Sequence, residues 1–76
     1  EPAVELPVAL AIASATLNKP LKERVCAFGE VGLLGEIRPV VGTKNRMNEA
    51  KRLGFVDFIY PDKFKTLEQA ISYALS

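Results

Sequence analysis

Few side chains in this 76-residue chain can do chemistry, and the absences narrow the choice first. There is no histidine, which removes Ser-His-Asp and Cys-His catalysis together with every His-ligated metal site. The single cysteine, Cys26, cannot build a disulfide framework or a cysteine zinc cage, and inside an apolar run it reads as a small buried hydrophobe. The hydroxyls of Ser14, Thr43, Ser72 and Ser76 are weak nucleophiles unless a neighbouring base takes their proton. Thr43, just ahead of a helical pattern, reads as an N-cap. Glu30 and Glu36 flank a turn with no pocket implied, so solvated carboxylates are expected there rather than an acid/base pair. Gly29, Gly32, Gly35 and Gly42 are not followed by Gly-Lys-Ser/Thr and make no phosphate-cradling loop.

Charge is the remaining hint of binding. Lys44, Arg46, Lys51 and Arg52 face a single Glu49 between residues 43 and 53, a local excess of three positive charges. At helical spacing Lys44, Lys51 and Arg52 share one side, where they could neutralise two or three phosphates or simply be solvated. No aromatic residue interleaves them, so base stacking is not expected. Arg46 projects toward the apolar side, and a carboxylate partner, Glu30 or Glu36, is expected for it.

The elements that must position these groups follow from pattern. Val4 to Leu17 reads as a helix with Pro7 in its first turn, apolar on nearly every side and therefore in need of burial on more than one face. Val25 to Val31 and Glu36 to Val41 read as strands around a Gly32–Gly35 turn, with Pro39 confining the second to an edge. A helix runs from Lys44 to Leu53, with Met47, Ala50 and Leu53 inward and Gly54 as its C′ residue. Phe55 to Tyr60 is a third strand, and Thr66 with Gln69 forms a capping box for a last helix. The order α-β-β-α-β-α describes an α/β (α+β) layered domain.

Net charge is +1, so nothing pulls the whole chain toward nucleic acid or membrane. The longest apolar stretch, Val8 to Ala13, falls far short of the roughly 20 residues of a membrane span. One cysteine and no basic leader point to a reducing, cytoplasmic setting. The opening on Glu1 rather than Met reads as an excised piece of a longer protein.

Three stretches carry a family resemblance. Glu1-Pro2-Ala3-Val4-Glu5-Leu6-Pro7-Val8-Ala9-Leu10-Ala11-Ile12-Ala13-Ser14 resembles the helix-opening segment of the carboxy-terminal, Lon-protease-like domain of the RadA (Sms) family of bacterial DNA-repair proteins. Phe28 to Val40 is similar to that family's Phe-Gly-Glu-Val-Gly-Leu-x-Gly-Glu-Ile-Arg-Pro-Val run, the most specific of the three. Arg46 to Phe55 resembles the helix and strand that follow. The resemblance implies a single Lon-like domain over residues 1–76, of the ribosomal protein S5 domain 2-like class. It also implies that this domain is incomplete at its N-terminus and near 61–66, where Pro61 leads almost directly into the last helix.

In active Lon-type peptidases a Ser in a Pro-Ser-Ala-Gly turn is activated by a Lys near the start of the next major helix. The resemblance puts Ala3 at the nucleophile position, Glu5 at that of the turn's Gly, and Lys44 at that of the dyad lysine, which RadA-like chains usually lack. A methyl group cannot be activated, so no peptidase activity is expected. The parent implied by the resemblance hydrolyses ATP, forms a hexameric ring and drives branch migration, with ATP, magnesium and zinc held by its other modules. The resemblance implies that this domain would serve as scaffold, self-associating and offering basic residues to DNA. Two rival readings are a genuine Ser-Lys peptidase fragment, which Ala3 opposes, and the Lon-like domain of magnesium-chelatase-type ATPases. The latter shares Leu6 to Leu10 but usually departs from Glu36-Ile37-Arg38-Pro39-Val40.

Overall fold

Pro7 decides where the first helix begins. It lacks a backbone N–H and is tolerated only in the first turn, so α1 (Leu6–Leu17) starts one residue before it. Val4 and Glu5, expected to be helical, instead form a short strand, β1 (Val4–Glu5). The helix ends at Asn18, whose left-handed backbone (φ 54°) suits the short polar side chain. The Ser14 hydroxyl reinforces this end by donating to the Lys19 carbonyl at 2.5 Å. The computed structural model describes residues 4–75.

The expected strand from Val25 to Val31 is in fact two, β2 (Val25–Ala27) and β3 (Glu30–Val31). Gly29 divides them. Its φ of +147° is closed to L side chains, and an added Cβ would lie 3.0 Å from Ile37 Cγ2 and 3.1 Å from the Arg38 carbonyl oxygen. At this glycine the chain leaves one sheet for another. β3 pairs antiparallel with β1 and with β4 (Ile37–Arg38), giving the order β1-β3-β4. β2 pairs parallel with β5 (Asp57–Ile59), in the register Val25↔Asp57, Cys26↔Phe58, Ala27↔Ile59.

The turn between β3 and β4 closes through Gly32 N–H to the Glu36 carbonyl at 2.9 Å. β4 is an edge strand and stops before Pro39, as a residue without a ladder donor requires. Its outer side is partly covered, because Glu36 bridges Thr66 and the Ile37 N–H donates to the Lys65 carbonyl at 2.9 Å.

α2 (Thr43–Arg52) is capped by Gly42 in left-handed conformation, not by Thr43. The Thr43 hydroxyl turns back and donates to the Val40 carbonyl at 2.8 Å, so the cap expected of it is not made. At the other end Gly54, with φ +102°, is the left-handed residue its position calls for. α3 (Leu67–Ala74) opens on Thr66, whose hydroxyl accepts from the Gln69 N–H at 3.2 Å, while the Gln69 side chain accepts from the Lys65 N–H at 2.9 Å.

The described residues form a small α/β fold of three helices and two small sheets, with the order β-α-β-β-β-α-β-α. The core is Leu6 and Leu10 of α1, Val31, Ile37 and Ile59 of the strands, and Ala70 and Ala74 of α3. The two alanines let α3 come close to α1. α2 contributes one buried side chain, Ala50, and Leu53, expected inward, is 66% exposed. Alternation along β2 explains the difference between the two sides. Val25 packs on the core, Cys26 and Phe28 line a cleft beneath α2, and Ala27 touches both.

Candidate functional site

Of the two positions that would make a Ser-Lys dyad, Ala3 lies outside the described residues. Lys44 is exposed in the first turn of α2. No described hydroxyl is hydrogen-bonded to it. The Thr43 hydroxyl is committed to Val40, that of Ser14 to Lys19, and that of Thr66 to the N-cap of α3.

The basic set on α2 separates into unlike members. Arg52 is spent on its own helix, its guanidinium 2.5 Å from Glu49 Oε2. The Lys51 ammonium sits 5.9 Å from the centroid of the Phe58 ring, and Phe58 stacks on Phe28 at 6.3 Å with 17° between planes. Aromatic rings do therefore accompany this cluster. The sequence pattern hid them because they come from β2 and β5, not from the helix. Arg46 is exposed and lines the cleft under α2. Among the described residues it makes no ion pair with Glu30 or Glu36, because the hairpin supplies its own cation. The Arg38 guanidinium lies 3.1 Å from Glu36 Oε2, and Glu30 stands opposite Arg38 in the β3–β4 register.

Glu36 is the best-held carboxylate of the hairpin. Its own backbone N–H, the Leu34 N–H and the Arg38 guanidinium together keep its pKa below the ordinary value, with burial working against them. A carboxyl whose folded-state pKa is depressed stabilises the fold fully above its unfolded value of about 4.5, and that contribution disappears as pH falls through the lower folded value. Urea midpoints measured across this acid range should fall less steeply for Glu36→Gln than for the unsubstituted chain. Parallel acid limbs would remove Glu36 from the account.

A second charged cluster fastens α3 to β5. The Tyr73 hydroxyl donates to Asp57, and the Lys22 and Lys63 ammoniums lie 4.9 and 5.5 Å from the Tyr73 ring centroid, with Phe64 beside it at 5.2 Å. The hydrogen bond to Asp57, followed by burial and the Asp57 charge, raises the Tyr73 pKa. That pattern belongs to a structural clip. Cys26 is also pushed up, by burial, against the Ala27 N–H.

Two of the concave surfaces among the described residues have mainly apolar walls. One, about 480 Å³, lies between α2 and β2 and is lined by Cys26, Phe28, Asn45, Arg46, Leu53 and Phe55 among others. The other, about 380 Å³, is a nearly pure hydrocarbon groove between α1 and α3, with Val4, Ile12, Leu17, Val31, Leu67 and Ile71 in its walls. Among the described residues no three His, Cys, Asp or Glu side chains gather as a metal site, and no helix is long and apolar enough to cross a membrane.

Comparison with known proteins bears on the hairpin and its flanks together. Residues 2–63 match the family model described as subunit ChlI of Mg-chelatase. Over 61 residues, 80% of the chain, the sequence is 49% identical to the DNA repair protein RadA of Streptococcus pneumoniae. It is 46% identical over the same length to those of Listeria monocytogenes and Mycolicibacterium smegmatis. The matched stretch spans about one seventh of these relatives, 14% of the first and 13% of the other two. Family model and relatives point to one Lon-like module, so the chain belongs to the ChlI-type Lon-like domain family, in the form found in RadA DNA repair proteins.

Proposed function

We infer that this chain is a non-catalytic Lon-like domain, of the ribosomal protein S5 domain 2-like class, serving a RadA-type DNA repair protein as scaffold. Its parent hydrolyses ATP, assembles as a ring hexamer and promotes branch migration in the cytoplasm, with ATP, magnesium and zinc held by its other modules. The domain contributes an assembly surface through α1 and a DNA-contact surface through α2. The absence of peptidase chemistry rests on Ala3, a methyl group where a peptidase carries its hydroxyl.

The observation that carries the scaffold reading is α1. From Leu6 to Leu17 it holds no charged residue, yet only Leu6 and Leu10 are buried. Val8, Ile12 and Leu17 are 48%, 59% and 52% exposed, and the apolar groove runs alongside. A continuous apolar face of this kind marks a surface that meets another protein.

Ile12→Glu tests this in the full-length parent. The side chain is exposed, so folding of the domain should change by no more than about 0.5 kcal/mol, while a buried charge at the interface breaks assembly. Light scattering should show the parent's solution mass falling to smaller species. An unchanged mass would remove α1 from the assembly surface.

A further inference from the structure

We propose that the cleft between α2 and β2 receives an unstacked base of single-stranded DNA, with Arg46 and Asn45 at its mouth. This deepens the reading of α2 as a DNA-contact surface and rests on it. The cleft's volume, about 480 Å³, is within the range of sites that hold small planar ligands. Its walls are mainly carbon: Phe28 and Cys26 from β2 and its continuation, Ala50 from α2, and Leu53 and Phe55 beyond the helix. Phe28 is buried and braced by Phe58, which leaves Phe55, half-buried, and Leu53, 66% exposed, as the surfaces a ligand can meet.

The polar groups at the mouth select the ligand's charge. Glu49 also lines the cleft, but its carboxylate is held by Arg52 at 2.5 Å. The Arg46 guanidinium and the Asn45 amide have no hydrogen-bond partner among the described residues. Lys44 and Lys51 are further cations of α2 that lie outside the cleft lining. A ligand matching this arrangement has a flat apolar face, an edge that exchanges hydrogen bonds with an amide, and an attached anion. A nucleotide has all three. In a duplex both faces of each base are already stacked, and a single strand offers a free face without the cost of flipping a base out.

The test measures anisotropy of labelled oligothymidylate and of a duplex of equal length on the full chain. Tighter binding of the single strand is expected, weakened about tenfold by Phe55→Leu and by Leu53→Ser with the duplex unaffected. Leu53 is exposed, so its variant keeps the fold where Phe55→Leu fails to. The single strand should also slow alkylation of Cys26, read in the unsubstituted chain. Equal affinity for the two forms, with neither variant nor Cys26 responding, would overturn the cleft while leaving the Lys44 and Lys51 reading in place. No binding of either form would overturn both. Tighter binding of oligouridylate than of oligothymidylate would overturn the assignment to DNA.

Discussion

Ile59→Ala is expected to remove about 2–5 kcal/mol of folding stability. The side chain is fully buried, on the strand that pairs with β2 and in contact with the α1 and α3 core. Its carbonyl accepts the Phe28 N–H at 2.8 Å, immediately before the chain changes sheets at Gly29. A truncated side chain here leaves a cavity under both helices that backbone tied to β2 by its ladder cannot easily close. A chain of this length holds about 4–11 kcal/mol of stability in total, so the loss is a large share of it. Urea denaturation gives the value. Leu34→Ala, at a hairpin side chain 93% exposed, should change the unfolding free energy by no more than about 0.5 kcal/mol in either direction. Equal effects at the two positions would mean that the core lies elsewhere.

Reversing Lys44 and Lys51 to Glu should weaken DNA binding by the full-length parent on the order of 10²-fold near 0.1 M salt, and reduce the salt slope by about two. Each neutralised phosphate releases a condensed counterion, so removing two contacts changes both the affinity and its dependence on salt. Arg52→Glu should add little, because Glu49 already holds that guanidinium. The three cations looked equivalent in the sequence, and only their neighbours separate them. Binding that keeps its salt slope in the double variant would place the DNA contacts outside α2.

Much of the fold was legible where one residue type dictates the backbone. Pro39 marked an edge strand, although β4 stops at Arg38 instead of running on to Val41; Gly54 marked the end of α2, and Thr66 with Gln69 the start of α3. The errors lie where a tertiary partner overrides local pattern. Residues 25–31 read as one strand because apolar alternation runs through Gly29, and only the close approach of Ile37 and Arg38 requires the break. Val4 and Glu5 have helix-compatible neighbours but gain more by pairing with Val31 and Glu30. Thr43 is a good cap by type, yet Val40 captured its hydroxyl and left the N-terminus of α2 to Gly42.

The candidate site was less visible for the same reason. Arg46 was expected to lean toward the apolar side by helical angle, but it is exposed at the cleft edge, and its surroundings depend on β2. The cation expected of it at Glu36 was already supplied by Arg38, two residues along the same hairpin. Leu53 was expected inward from spacing alone, and the cleft under α2 leaves it in the open. Phe55 follows α2 directly, its N–H donating to the Ala50 carbonyl at 3.0 Å, but Phe28 and Phe58 meet only through the parallel pairing of β2 with β5, a long-range contact with no local signal.

Fluorophosphonate labelling of the full-length parent is the most direct test of the claim that this Lon-like domain has no peptidase chemistry. No serine or threonine adduct is expected within these residues, with or without DNA and ATP, and Lys44→Ala should change nothing. An adduct on any hydroxyl here that disappears in Lys44→Ala would contradict it, since the lysine would then be activating a nucleophile.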